Sequence, residues 1–497
     1  MTTTPTTDAT HDLVGEFRML VDGTLVEAAG GDGFDNVNPA TEAVIGQTTD
    51  ATAADMDRAI AAARRAFDQS GWADDRALRQ RCLRQLQDAI VGEQESFRSE
   101  LVAEVGCPVS ITYLAQLDAP LEEALLWPAE YIDRFEWERP LPDNHAFGQP
   151  SWQRVVKEPA GVVGAIIPWN YPFEIILGKL GQALATGNTM VIKPAPDTPW
   201  NATRIGRLIG EQTDIPAGVV NIVPSSDHLL GEQMVVDPRV DLISFTGSTA
   251  TGRRIMAAGA PTLKRLFLEL GGKSADIILE DGDLETKMAF FGFMCMHAGQ
   301  GCAMLTRTLV HESRYDEAVE LAKVAMEGVT YGDPTDPANI QGPLINARQR
   351  ERVLGYIEKG VAEGARLVTG GGRPAHLEKG YYVEPTLFAD VDNSMTIARE
   401  EIFGPVLVMI PFHDEDDAVR IANDSDYGLS GAVTSASEER AVAVARRIRA
   451  GTVGVNGGIY YSAGSPFGGY KASGLGRQNG NEGFEQYLET KTIAGGL

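Results

Sequence analysis

The chain is poor in the residues that build disulfide or metal frameworks. Its 497 residues include four cysteines, at 82, 107, 295 and 302, with no CxxC pair among them. Neither a disulfide scaffold nor a zinc knuckle is expected, and reduced thiols are the default. The seven histidines are scattered without an HExxH pattern, and Cys295 with His297 is too little for a metal site, so no metal is predicted. Positive charge is also scarce: 43 basic against 69 acidic residues leave a formal charge of −26. That balance repels phosphate backbones and anionic membrane surfaces, so no nucleic acid and no membrane is expected as a partner. The most apolar stretch, 288–296, is far below the ~18 residues of a spanning helix. The start, MTTTPTTDATHDL, has neither a basic nor an apolar signal region, which predicts a cytoplasmic chain. Two nucleotide signatures are missing as well. No G-x-G-x-x-G follows a predicted strand, and LGGKS (270–274) has Phe267 where a P-loop needs its first glycine.

What the chain does have is core-forming sequence, 43% hydrophobic and 23% charged, enough for two or three packed units. Residues 1–13 are Thr-rich and aperiodic and read as a loose tail. Thr52 with Asp55 forms a capping-box pattern ahead of Met56, Ile60, Ala63 and Phe67 at helical spacing. From Gly161 the rhythm changes. Short Val/Ile-rich runs at 162–167, 189–194, 219–224, 240–248 and 274–280 alternate with helical segments, one opening at Thr198-Pro199. Continuous apolar strands separated by helices predict a parallel sheet covered on both faces. A second such series follows, from TRTLVHE through PVLVMIPF and GAVTSA. The fold class is therefore α/β. Residues 136–159 read as a protruding hairpin or linker, and YLETKTI near the C-terminus reads as a strand that could add to a neighbouring subunit's sheet.

Some residues carry chemistry. Cys302 lies in HAGQGCAML among small residues that let a substrate approach, and a thiol is a strong nucleophile, although most cysteines simply pack. Glu269 interrupts an apolar run before Gly-Gly, either as a partnered structural group or as a general base. Asn170 could donate to an oxyanion or cap a helix. FTGSTATG (245–252) could hold a phosphate at a helix N-terminus or be an ordinary turn.

Taken together, WNYPF (169–173), IKPAPDTP (192–199), FTGSTATG, LELGGKS (268–274), GQGC (299–302), EEIFGPV (400–406) and PFGGYKASGLGR (466–477) resemble the aldehyde dehydrogenase superfamily in content and order. The resemblance runs from about residue 17 to the C-terminus. It implies two Rossmann-like domains: a dinucleotide-binding domain from 14–136 and 160–272, and a catalytic domain from 273–475. Segments 137–159 and 476–497 would bridge subunits of a homodimer or homotetramer. It also implies oxidation of an aldehyde to the acid with NAD or NADP. Cys302 would be the nucleophile, Glu269 the base for thioester hydrolysis, Asn170 an oxyanion donor and Lys179 a support for the carboxylate. The implied cofactor contacts are Ile167, Pro168, Trp169, Lys193, Pro196, Gly231, Phe245, Gly247, Ser248, Leu270, Glu401 and Phe403. Those of the substrate are Tyr171, Ile175, Gly178, Met296 and Tyr461.

This sequence departs from the family pattern in places. Pro196, followed by Asp197, stands where NAD-preferring members commonly carry glutamate, which leaves NADP open, while Asp227 could place negative charge near the adenosine. NAD is the expected cofactor. Gly178 replaces a tryptophan found in some relatives, and no implied pocket residue is basic. A roomy apolar pocket for a medium or long apolar aldehyde is expected. Met304 stands where alanine is frequent. Two other readings remain: a cysteine-dependent esterase, since a thiolate and an oxyanion hole suffice for acyl transfer, and a non-catalytic binding or structural homologue.

Overall fold

The computed structural model describes residues 15–496, so the predicted tail at 1–13 lies outside the described residues. An eight-stranded sheet has at its centre five parallel strands, in the spatial order Arg265–Glu269, Leu242–Thr246, Val162–Ile166, Thr189–Lys193 and Val220–Ile222. Numbered along the chain from Val162–Ile166, that order is 5-4-1-2-3, and the connection reverses direction beside the first strand. Such a reversal opens a crevice at the carboxyl ends of the strands. Short antiparallel strands close both edges: Gly474–Leu475 on one side, Met19–Val21 and Thr24–Val26 on the other.

Strand side chains alternate between two buried clusters. Val163, Ala165 and Ile192 enter one, Val162, Val191 and Ile243 the other. Burial on both faces is why these strands read as continuous apolar runs. The expected capping box is present on the helix Ala53–Gln69, and the helix expected to open at Thr198-Pro199 begins at Trp200.

A seven-stranded sheet, six of its strands parallel, holds Ala275–Ile278, Arg307–His311 and Val406–Phe412 near its middle, again with a core on each face. The segment 136–159 forms a hairpin of Glu138–Asn144 with Ser151–Pro159. The strand expected at YLETKTI is Leu488–Gly496. It pairs antiparallel with Ser151–Pro159 of its own chain through nine positions. The stretch 476–497 is also divided. The helix Gly480–Gln486 and Tyr487 pack Phe484 and the Tyr487 ring into the first core, and only the residues after them extend the hairpin.

Candidate active site

Strands Leu242–Thr246 and Arg265–Glu269 run parallel in register, so Thr246 and Glu269 stand side by side at their carboxyl ends. The chain then turns through Gly271 and Gly272. A Cβ on Gly271 would lie 2.4 Å from a Glu401 carboxylate oxygen, and one on Gly272 would lie 2.5 Å from the Cys302 carbonyl. Only glycine lets this turn approach both groups. Glu401 is held there by the Gly272 N–H, which donates to Oε1 at 3.0 Å and leaves Oε2 free.

The segment before Cys302 is bent in an unusual way. His297, Ala298 and Gly299 have φ of 50°, 54° and 66°, a left-handed stretch that is costly for the first two residues. It is held by the His297 N–H donating to Ile340 O at 2.9 Å and by Gln300 Nε2 donating to His297 O at 3.1 Å. The same residues fix Asn170. Its carbonyl accepts from Gln116 Nε2 at 2.8 Å and lies 3.0 Å from His297 Nε2, and its Nδ2 donates to Gln300 O at 2.9 Å. Since a carbonyl only accepts, the His297 proton sits on Nε2, and buried Nδ1 has no partner. Burial depresses His297 to about 4, so it stays neutral.

Glu269 is buried with one oxygen unpartnered. Burial raises its carboxyl, against the opposing influence of contact with Cys302 and the charge of Lys179. Burial likewise lowers Lys179, whose Nζ donates to Ser244 Oγ at 2.9 Å and lies 4.6 Å from the Phe267 ring centroid. Burial, reinforced by the Glu269 charge, pushes the Cys302 thiol well above its usual value.

Three cavities meet here. A cleft of ≈ 560 Å³ at the carboxyl ends of the first sheet is lined by Ile167, Pro168, Trp169, Lys193, Pro196, Gly231, Phe245, Gly247 and Ser248, all named from sequence. It continues into a ≈ 170 Å³ chamber that adds Leu270, Glu401 and Phe403 to Asn170, Glu269 and Cys302. Here the Phe403 and Trp169 rings meet edge to face, 5.4 Å between centroids. On the other side of Cys302 a ≈ 400 Å³ tunnel is lined by Tyr171, Ile175, Met296 and Tyr461, together with Met294, Met304 and Phe467. Asn170, Glu269 and Cys302 line both chamber and tunnel.

Gly178 differs from expectation. It is not on the tunnel wall, because a Cβ there would lie 2.4 Å from Gln478 Nε2, and it is the Gln478 side chain that lines the tunnel. Lys179 lies behind the wall. Asp227 does not line the cleft, although its charge acts on Lys193, which burial lowers to about 8. Sequence reasoning missed Gln116, His297 and Gln300 around Asn170, and Glu174 in the tunnel. A carboxylate within the apolar stretch FEIILG was the available signal for Glu174.

The cleft suits a dinucleotide. Buried Thr246 Oγ1 lacks a partner, Ser248 caps the eleven-residue helix Thr249–Gly259, and the free N–H groups of a helix start favour phosphate. Lys193 Nζ, held by Ser225 O at 3.2 Å, and the free Glu401 oxygen stand ready for ribose hydroxyls.

Comparison with known proteins gives the same picture. The sequence pattern of the aldehyde dehydrogenase family matches residues 25–493. A 3-succinoylsemialdehyde-pyridine dehydrogenase from a Pseudomonas species is 43% identical over 96% of this chain and 98% of its own. A geranial dehydrogenase from Castellaniella defragrans is 41% identical, over 92% and 94%. The crystal structure of a Mycobacterium tuberculosis aldehyde dehydrogenase complexed with NAD+ superposes with a TM-score of 0.92 at 41% identity, over 96% and 97%. With its two sheets, its cysteine between cleft and tunnel and this likeness along nearly its whole length, the chain belongs to the aldehyde dehydrogenase family.

Proposed function

We propose that the protein oxidises a medium or long apolar aldehyde to its carboxylic acid with NAD, using Cys302 as nucleophile and Glu269 as base. The observation that carries this reading is the place of Cys302, where the chamber that continues the dinucleotide-sized cleft meets the apolar tunnel, with Glu269 on the wall of both chamber and tunnel.

Cys302 Sγ, its proton released to solvent, adds as the thiolate to the aldehyde carbon. Asn170 Nδ2 spends one N–H on Gln300 O and has the other for the developing alkoxide. The Cys302 backbone N–H is the second donor, and each such donor is worth about 3 kcal/mol in the transition state. NAD, when bound, supplies the hydride acceptor that turns the adduct into a thioester. Trp169 and Phe403 would wall the nicotinamide end of the chamber, and Glu401, pinned by Gly272, would hold the ribose. Glu269 then draws a proton from water, whose oxygen attacks the thioester carbon and frees Cys302.

NAD rather than NADP is supported by Asp197, which lines the cleft beside Lys193 and Pro196 and would repel a 2′-phosphate. The apolar substrate is supported by the methionines and aromatic rings of the tunnel, and one relative is named for geranial. The dinucleotide end belongs to 14–136 with 160–272, and the nucleophile to 273–475. Among the described residues no helix is long and apolar enough to cross a membrane. A cysteine-dependent reaction in a chain whose four cysteines are all free fits the reducing cytoplasm. The three-stranded sheet leaves the outer edges of Glu138–Asn144 and Leu488–Gly496 unpaired, which supports assembly into a homodimer or homotetramer.

The test is an aldehyde panel read at the reduced-nicotinamide absorbance with NAD and NADP in parallel. Octanal or a terpenoid aldehyde with NAD should give the highest kcat/KM, and a preference for acetaldehyde or for NADP overturns that part. Cys302→Ala should abolish turnover, and Glu269→Gln should give a NADH burst without turnover. Ester cleavage with no cofactor-dependent change would favour the esterase reading.

A further inference from the structure

Each hydrolysis leaves a proton on Glu269 that must go before the next turnover. Two ionisable side chains of the helix Pro172–Ala185 share the field of Glu269, namely Lys179 and Glu174. The path through Lys179 ends in the core. Its Nζ donates to Ser244 Oγ at 2.9 Å, Ser244 Oγ lies 3.1 Å from Tyr487 OH, and both Ser244 and Tyr487 are fully buried. A proton sent that way meets no water.

Glu174 is placed in the opposite sense. It lines the tunnel together with Glu269 and Cys302, and its carboxyl makes no hydrogen bond or ion pair among the described residues. A carboxyl among methionines and aromatic rings has a desolvation cost that nothing nearby offsets. The other ionisable groups acting on it or feeling its charge are Tyr171, whose proton burial holds in place, and Cys302, which stays bonded to the acyl carbon until the C–S bond breaks.

We propose that Glu174 is the proton exit of Glu269, receiving through tunnel water the proton taken from the hydrolytic water and releasing it to solvent. The proposal rests on Glu269 being the base. The step balances without any redox change: an O–H bond of water breaks, its oxygen bonds the thioester carbon, the C–S bond breaks with its electron pair on sulfur, leaving Cys302 as the thiolate that adds to the next aldehyde, and the proton passes from Glu269 to Glu174 to bulk water. Burial and the charge of Glu269 raise the Glu174 carboxyl to about 8, a poise from which a carboxyl both takes and gives a proton near neutral pH.

The experiment compares wild type, Glu174→Gln, Glu174→Asp and Glu269→Gln by rapid mixing with aldehyde and NAD and by intact mass of the quenched enzyme, after thermal melting has shown that each is folded. Glu174→Gln should keep a NADH burst of normal rate and amplitude, accumulate acyl-enzyme on Cys302 and turn over about tenfold more slowly, below the ~10²-fold or more of losing a general base itself. The rise of wild-type kcat with pH around 8 should vanish in Glu174→Gln and return in Glu174→Asp. Wild-type kcat for Glu174→Gln at every pH overturns the proposal. A change confined to KM does so too, because it makes Glu174 a substrate contact. Should Glu269→Gln fail to accumulate acyl-enzyme, the base assignment falls, and this proposal with it.

Discussion

Gly272 holds the Cys302 loop in place through what it lacks. With a Cβ 2.5 Å from the Cys302 carbonyl, either the turn or the loop bearing the thiol must move, and displacements of about 1 Å cost on the order of 100-fold in rate. Gly272→Ala should therefore lower kcat at least tenfold, by roughly that reasoning, and should shrink the NADH burst along with it, unlike Glu174→Gln. A burst of normal rate would show that the loop yields without moving the thiol. Cys302 and Glu269 were legible in sequence because a thiol among glycines and a carboxylate in an apolar strand are locally out of character. The clamp on Asn170 was not. Gln116 and His297 reach it across 54 and 127 positions of chain, and nothing local in QGC or MHAG announces a partner so far away. Gly178 failed differently: its open space was visible in sequence, but the side chain that fills it, Gln478, lies 300 residues on.

Strands buried on both faces announce themselves, since nearly every position is apolar, and four of the five central strands of the first sheet were read to within two residues; Arg265–Glu269 was not among the runs, and the run at 274–280 belongs to the second sheet. Edge strands do not. Met19–Val21, Thr24–Val26 and Gly474–Leu475 are two or three residues long, too short for any period, and they exist because a sheet margin lies beside them. The C-terminal strand was recognised as a strand, but its pairing within the chain was not, because antiparallel pairing over nine positions with Ser151–Pro159 is a long-range choice that composition does not encode. The capping box is the opposite case, complete within four residues. Asp55 Oδ2 accepts from the Thr52 N–H at 2.8 Å, and the same carboxylate accepts from the Ala29 N–H at 3.1 Å and from Arg58. Thr52→Ala should then cost about 1 kcal/mol of stability. Asp55→Ala should cost more, because it also frees the Ala29 N–H, and chemical denaturation of the two variants side by side checks the order.

At the scale of the molecule, the dinucleotide cleft draws its floor from the first sheet and its far wall from Glu401 and Phe403, which precede Val406–Phe412 of the second. A ligand lying along it touches both halves, so NAD should resist their separation as well as the unfolding of either. Binding that favours the folded state stabilises by RT ln(1 + [L]/Kd), about 2.7 kcal/mol at a hundredfold excess over Kd. The melting temperature of Cys302→Ala, expected not to turn over, should rise steadily with NAD. NADP at equal concentration should raise it less, since its 2′-phosphate meets Asp197 near Pro196. Lys193→Ala should weaken the NAD response without lowering the melting temperature of the free protein by much, because its Nζ gives up a single 3.2 Å hydrogen bond to Ser225. If NADP instead stabilises more strongly than NAD, the cleft's negative charge does not govern the choice of cofactor, and Arg254 and Arg348 on the same wall become the groups that read the phosphate.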